Sequence, residues 1–401
     1  MGKKVIAVYA DTPTVSTGFG NVVKSIFTNL TDEFEIKIVG INYNGYPHPY
    51  PDLKIYPACN PLFIGGGVDY YGREHLKRWV EVEHFDLFFM LNDGWLLREF
   101  APSVIERIKK KSAQIPIVCY FPIDCEETEG AWYDWLMDVD LPVTYTDFGL
   151  GVVKKVFPAL GLRTKVIPHG ADVDTFKPIP RGSDEKVAHY RNLVGGQFAF
   201  INVNKNQVRK NVPCSIAAMR EYQKKIDNAD TLVLHMNEEE GMGCHVRIIA
   251  NSLGFEKKST IRISPARLDE EHLNCMYNAC QVAMTTSAGE GWGLSISEAI
   301  CAGIPVLAPR HTSFPEVVRE FGYLYDPGMR HCALPLSTDR SNWRYYADPK
   351  VVAEAMLDIR KNYIQYKEKA LLGRKWYVEN RTWKEHIVPQ WRGLFQQLLS
   401  T

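Results

Sequence analysis

The sequence predicts an α/β protein built from two doubly wound parallel-sheet domains, and three observations carry that prediction. Short apolar runs alternate with helical patterns, and the alternation occurs in two separate series. Most of the runs are continuously apolar, as expected of strands buried on both faces of a parallel sheet. At 401 residues the chain is also too long for one ordinary core.

In the first series "KKVIAVYA", "EIKIVGI", "DLFFML", "IPIVCYF" and "PVTYT" read as strands, with "KVIPHG" as a last short one. Helical patterns lie between them at "GNVVKSIFTNL", "REHLKRWVEVEHF", "PSVIERIKKK" and "GLGVVKKVF". The second series has strands "FAFINVN", "TLVLHM", "TIRIS", "QVAMTTS" and "IPVLAP". Its helices are "PCSIAAMREYQKKI", "CHVRIIANSLGF", "EEHLNCMYNAC" and "SISEAICAG". The joint falls in "DVDTFKPIPRGSDEKVAHY", where prolines and charges break the periodicity. The expected domains are therefore residues 1–178 and 179–383. From Asp348 onward the chain is largely helical and rich in Trp and Tyr.

The bulk properties narrow the class. Lys plus Arg and Asp plus Glu are both 47, so the formal net charge is zero and nothing in the balance calls for a polyanionic partner. The nine cysteines are scattered and form no Cys-x-x-Cys pair, which points to reduced, buried thiols rather than a disulfide framework or zinc cluster. "MGKKVIAVYADTP" is too short in apolar length for a signal peptide, and no run approaches a membrane span. A soluble, cytoplasmic protein is the expectation.

In open parallel sheets ligands bind outside the carboxyl ends of the strands, which selects a few loops. "STGFG" follows the first strand and opens the first helix, so the amides of Gly18, Phe19 and Gly20 suit a phosphate or a sugar hydroxyl. The full Gly-x-Gly-x-x-Gly spacing is missing, and a plain tight turn explains the stretch equally well. "NVNKNQVRKN" follows the first strand of the second series and brings Lys205, Arg209 and Lys210 to one loop. Cations there can neutralise a diphosphate leaving group; a solvated basic loop is the plainer reading.

"TTSAGEGWGLSISEAICAGIPVLAP" places three glycines and two glutamates, Glu290 and Glu298, at a strand-to-helix turn. The exposed amides of Gly291, Trp292, Gly293 and Leu294 favour anionic oxygens. Ionised carboxylates accept from neutral sugar hydroxyls. A loop with both grips a sugar, a diphosphate and a ribose together, so the ligand expected here is a nucleotide sugar. The competing reading gives Glu298 a smaller part, because Ser295 to Glu298 has the Ser-x-x-Glu spacing of a capping box.

These residues resemble a family. "EGWGLSISE" looks like the Glu-x7-Glu signature of retaining GT-B glycosyltransferases, especially glycosyltransferase family 4 (glycosyl transferases group 1). "VIPHGADVDTFKP" is similar to the family's segment before the interdomain linker, and "NKNQVRK" to its Arg-x4-Lys segment, with Lys205 where arginine is usual. The likeness is dense from about Val166 to Pro309 and loose before Asp147.

The resemblance implies two Rossmann-like domains facing a cleft, with the C-terminal helix at about 384–401 crossing back to the N-terminal, acceptor-side domain. It implies that Glu290 contacts donor-sugar hydroxyls and Glu298 the ribose. Lys205 and Lys210 would hold the diphosphate, beside Arg209 and helped by the amides of residues 291–294. Ser264 to Leu268 would lie near the base, and Gly18 to Gly20 on the phosphate or acceptor side. Lysine at 205 keeps the charge but loses the bidentate fork of arginine. Asp124, at the end of "IVCYFPID", stands where the family has a catalytic-side histidine. It either positions the acceptor or balances oxocarbenium charge, or it caps the following helix; the sequence leaves both open.

The expected activity is retaining transfer of a hexose, from UDP by preference, to a hydroxyl, with no cofactor and no obligatory metal. The acceptor is open among a glycan, a lipid-linked sugar, a protein and a modified base in nucleic acid. A nucleotide-sugar epimerase and a non-catalytic nucleotide-sugar binder are the rival readings. His169 reads as a turn residue, His235 as a core histidine at a strand end, and "WYDWLMDVD" as packing or an acceptor platform.

Overall fold

The computed structural model describes residues 2–59, 69–126, 128, 130–180, 182–195, 198–226, 229–238, 243–255, 260–264, 268–327 and 342–400. Arg181 of the expected joint, residues 265–267 of the expected base-side loop, and Cys332 lie outside the described residues. The chain divides into two units: Met1–Ile123, Thr128–Gly170 and Trp383–Thr401 form the first, Asp124–Glu127 and Ala171–Thr382 the second.

The first unit holds a sheet of seven strands: β1 (Val5–Asp11), β2 (Glu35–Ile41), β3 (Leu53–Pro57), β4 (Leu87–Leu91), β5 (Ile117–Phe121), β6 (Leu141–Thr144) and β7 (Lys165–Val166). All pairings are parallel, in the order β3-β2-β1-β4-β5-β6-β7. The order reverses at β1, the sequence's first apolar run, whose seven residues are all buried. Ile6 pairs with Ile36 on one side and Leu87 on the other, so β1 is a central strand, and its side chains are buried on both faces of the sheet. The segment at 383–400 belongs to this unit. Trp391 and Phe395 are fully buried there against Phe89, and Arg392 pairs with Asp32 and Glu33 at 3.1 and 2.7 Å.

The second unit holds β8 (Ala199–Val203), β9 (Thr231–His235), β10 (Ile261–Ser264), β11 (Val282–Met284), β12 (Val306–Pro309) and β13 (Tyr323–Tyr325). These are again all parallel, in the order β10-β9-β8-β11-β12-β13. The topological switch lies between β8 and β11, and the loops that leave their carboxyl ends carry the basic and acidic stretches singled out in the sequence.

Three elements depart from the pattern read in the sequence. β3 and β13 are edge strands; β3 carries exposed Lys54 and ends at Pro57, so neither a long apolar run nor alternation marks it. Within the expected joint, Asp184 caps a helix over Glu185–Val194 by accepting from the amides of Lys186 and Val187. Only Val187, Tyr190 and Val194 are buried on that helix, which is too sparse a stripe to show in the sequence.

Candidate active site

At the carboxyl end of β8 the chain runs through residues 204–207 into a single tight turn, Val208–Lys210. It then passes Asn211 at φ 48° and enters the helix Val212–Gln223. Asn tolerates the left-handed region, and this sharp reversal turns Lys210 inward. At the end of β11 the chain continues through Thr285 to Gly293 before the helix Leu294–Cys301. Hydrogen bonds zip the two loops together: the Ala288 amide donates to Arg209 O at 2.7 Å, and Thr286 Oγ1 to Asn211 O at 2.8 Å. Beneath them Thr286 meets Ser215 at 2.7 Å, and Asn202 donates to Ser215 Oγ at 2.9 Å. This buried polar ladder fixes the loops on the sheet.

The zipper brings opposite charges together. Lys210 Nζ donates to Glu290 Oε1, and Arg209 Nη1 donates to Glu290 Oε2 at 3.2 Å and to Gly289 O at 2.9 Å. The Lys210 and Glu290 side chains are each only 11% exposed. Burial pushes the Glu290 carboxyl up, but Lys210 and Arg209 more than reverse that and hold it at about 2. For Lys210, burial and the neighbouring Arg209 charge outweigh the attraction of Glu290 and bring its ammonium down to about 8. Both groups are therefore charged at neutral pH.

Asp124 belongs to the same unit and continues the alternation of charge. Its Oδ2 lies 3.8 Å from Arg209 Nε, and Arg344 Nη2 donates to it at 3.2 Å. Burial would raise the Asp124 carboxyl, and Arg344 and Arg209 bring it below the ordinary carboxylate value. Asp124 is not the residue before a described helix, the next of which begins at Gly130, and its carboxylate is engaged by the two arginines instead. Gly289 sits against this pair at φ 156°: a Cβ there would stand 1.9 Å from Asp124 O and 2.7 Å from Arg344 Nη1. Arg344 is 2% exposed and carried no signal in the sequence.

The capping-box reading of Ser295 to Glu298 also fails. Gly293, at φ 95°, is the residue before the helix, which starts at Leu294 and places Ser295 inside the first turn. Glu298 instead accepts from Tyr277 Oη at 3.3 Å. Gly291 and Trp292 are buried, and Ser313 Oγ donates to Trp292 O at 2.8 Å, while Thr312 Oγ1 accepts from the Glu290 amide at 3.3 Å. The parts played by Thr312 and Ser313 were not visible in the sequence.

The remaining candidates sit differently. Lys205 is exposed, and its side chain makes no hydrogen bond or ion pair among the described residues. Ser264 ends β10 and meets His235 Nδ1 at 3.1 Å; burial lowers the His235 pKa. Leu268 is half-buried next to the undescribed 265–267. In the first unit, Thr17 caps the helix Gly18–Phe27, accepting from Gly20 N at 3.0 Å and donating to Asp11 Oδ2 at 2.5 Å. Gly18 is exposed, Phe19 half-buried, and Gly20 buried where a Cβ would stand 2.5 Å from Val15 O. His169 is a buried ring among Tyr120, Tyr145 and Trp383, and burial brings its pKa down to about 3. Trp135 and Leu136 of "WYDWLMDVD" are buried in the core of that unit.

Two Asp-x-Asp stretches are engaged locally. Asp140 pairs with Lys109 at 2.8 Å and accepts the Ile117 amide, and Asp172 accepts the amides of Asp174 and Thr175. Among the described residues no group of three His, Cys, Asp or Glu side chains could hold a metal ion. No helix of the described residues is long and apolar enough to cross a membrane.

Comparison with known proteins completes the picture. The chain is 27% identical over 314 residues to a D-inositol 3-phosphate glycosyltransferase of Corynebacterium jeikeium, covering 74% of this chain and 73% of that protein. Its fold is similar to sucrose-phosphate synthase from Thermosynechococcus elongatus, with a TM-score of 0.73 at 16% identity over 99% of this chain and 100% of that one. It is also similar to the Anabaena protein HepE in complex with UDP and glucose, with a TM-score of 0.72 at 14% identity over 98% of this chain and 100% of that one. The two parallel-sheet units are thus those of a GT-B fold. The profile of the family described as Family 4 Glycosyltransferase in conflict systems matches residues 164–388, more than half of the chain. The protein is a glycosyltransferase and belongs to that family.

Proposed function

We propose that the protein transfers a hexose from a nucleoside diphosphate donor, UDP-hexose by preference, to an acceptor hydroxyl with retention of anomeric configuration. The observation that carries this reading is the buried Lys210–Glu290–Arg209 cluster at the carboxyl ends of β8 and β11. An ionised carboxylate has about four lone-pair sites, so Glu290 can accept from Lys210 and Arg209 and still accept from donor-sugar hydroxyls. Lys210 and Arg209 supply positive charge for a diphosphate where charge develops as the glycosidic bond breaks. The amides of residues 291–294, at the start of the next helix, add to that field.

In this reading Glu298, beside Tyr277, takes the ribose, exposed Lys205 reaches the outer phosphate, and Ser264 to Leu268 lies near the base. Gly18 to Gly20 serve the phosphate or acceptor side. Two fixed cations at the leaving group make a metal unnecessary for charge neutralisation. The leaving phosphate oxygen then takes the acceptor proton on the same face, which needs no protein base. The relatives support the donor class: HepE is described with UDP and glucose, and another similar structure with UDP-2-fluoro glucose.

The test is to incubate the full-length protein with UDP-glucose and a panel of hydroxyl acceptors in the presence of a chelator. Proton NMR then reads the anomeric configuration of the product. An α-configured glycoside from the α-configured donor supports the reading. An inverted product, or an epimerised donor with no glycoside, contradicts it.

A further inference from the structure

The first unit carries a group of exposed rings that the donor reading does not use. Residues 42–52, which leave the end of β2, contain three tyrosines, a histidine and three prolines, and no lysine or arginine. Tyr46 is 74% exposed, and Tyr70, from the segment after β3, is 55% exposed. Single exposed tyrosines are ordinary on a protein surface. Here the rings touch one another. Tyr43 meets His48 edge-on at 5.8 Å, His48 stacks on Tyr50 at 6.2 Å, and Tyr70 meets Tyr71 edge-on at 5.5 Å. Tyr70 Oη donates to Asn42 Oδ1, which joins the two groups.

The rings are also held in place. Asn42 stands at φ 65°, Tyr43 Oη donates to Tyr46 O at 2.6 Å, and the Tyr50 amide donates to His48 Nδ1 at 3.2 Å. Prolines at 47, 49 and 51 restrict themselves and the residues before them. Tyr71 O accepts from Tyr9 Oη at 2.7 Å, which ties the second pair of rings to β1, where the sheet order reverses. Ligands of open parallel sheets bind at such a point. Fixing an exposed ring costs rotamer entropy and returns little to the fold, but it lowers the cost of binding a ligand there.

The charge beside the rings selects the ligand. Burial raises the Tyr9 and Tyr71 hydroxyls; Asp69 and Asp11 raise Tyr9 further, Asp93 and Asp11 raise Tyr71, and Arg73 opposes both. That arginine is itself paired with Glu99 at 2.6 Å. Surfaces that stack nucleic-acid bases place lysine or arginine beside the rings to meet phosphates. Here carboxylates stand beside them. The C–H face of a hexopyranose packs on an aromatic ring and brings no charge.

We infer that residues 42–50 with Tyr70 and Tyr71 form a stacking platform for an uncharged oligosaccharide, which is the body of the acceptor. The acceptor role rests on the transferase reading given above; the binding site does not.

The experiment is calorimetric titration of the full-length protein with maltotetraose, cellotetraose and mannotetraose. Dodecathymidylate, UDP and GDP are titrated for comparison, and every variant is melted alongside. At least one oligosaccharide binds the parent. Tyr46→Ala and Tyr70→Ala each weaken it by about fivefold, and the nucleoside diphosphate binds all variants as it binds the parent. Tyr46 gives only its main-chain oxygen to Tyr43, so Tyr46→Ala keeps the loop, and Tyr46→Phe keeps the ring and the affinity. Three results overturn the platform: no oligosaccharide binds the parent, the folded alanine variants bind as the parent does, or thymidylate binds and is lost in the same variants. Diphosphate binding then leaves the donor reading standing. Oligosaccharide binding with neither UDP nor GDP bound overturns the transferase reading and the acceptor role, and leaves the platform as a binding site.

Discussion

Lys210 Nζ donates to Glu290 Oε1 across the switch point of the second sheet, and both side chains are nearly nine-tenths buried. The pair joins the two loops that the spacing in the sequence marks out, and it leaves a carboxylate and an ammonium charged at neutral pH. Arg209 shares the same carboxylate, so no single charge in the cluster is left without a partner.

Glu290→Gln keeps the shape and removes the charge that Lys210 and Arg209 face. Breaking a buried pair costs about 3–5 kcal/mol, moderated here because Asp124 remains near Arg209. Denaturant unfolding reads the loss of stability. Turnover falls by at least about tenfold if Glu290 also holds sugar hydroxyls. Parental turnover in a folded Gln variant contradicts that role.

Donor affinity depends on pH through Lys210. Its pKa is depressed to about 8, so the ammonium, which in the proposed reading binds phosphate, dominates below pH 8 and is lost as the pH rises through it. Glu290, at about 2, stays ionised throughout. The dissociation constant for UDP-glucose, whose diphosphate does not titrate in this range, is flat between about pH 6 and 7 and rises toward about tenfold per unit above 8. A flat profile up to pH 9.5, about one and a half units above that pKa, contradicts this titration of Lys210 in the donor site.

Gly289→Ala drives a Cβ to 1.9 Å from Asp124 O at a φ that side chains rarely adopt. The loop must shift, at a cost of about 2–3 kcal/mol, and the Arg209–Glu290 geometry shifts with it. Gly151→Ala is the control. It lies exposed in the helix Asp147–Val156 with nothing within 4 Å of its Cβ, and gains about 0.5–1 kcal/mol. Equal melting temperatures for the two variants contradict this account.

His169 gives the first unit an acid-sensitive core. Its folded pKa of about 3 lies below the ordinary histidine value, so the unfolded chain binds the proton more readily. The stability it contributes is present above about pH 6.5 and drains away as pH falls toward 3, by an amount on the order of several kcal/mol. Urea unfolding of the protein and of His169→Gln between pH 7 and 4 should show a shallower acid slope in the variant.

Much of this was legible in the residues, for physical reasons. β1, β4 and β8 are largely apolar runs because parallel strands bury both faces, and Gly289 to Glu298 shows itself because its glycines and glutamates cluster at a strand-to-helix turn. Edge strands β3 and β13 have no such demand on their sequence. The start of the helix at Leu294 was hidden because Ser295 imitates a capping residue, while the positive φ of Gly293 sets the boundary. Arg344 was invisible because its partner, Asp124, is far away in sequence; only the folded chain pairs a lone arginine in "NWRYY" with a lone aspartate after "YFPI".

The most direct test of the central claim is calorimetric titration of the full-length protein with UDP-, GDP- and ADP-sugars in the presence of a chelator, repeated with Lys210→Ala and Lys205→Ala. The account predicts that one donor binds without metal, that Lys210→Ala weakens it by about 100-fold, and that exposed Lys205→Ala weakens it by only a few-fold. No binding of any donor by the parent, or equal affinity in Lys210→Ala, would contradict it.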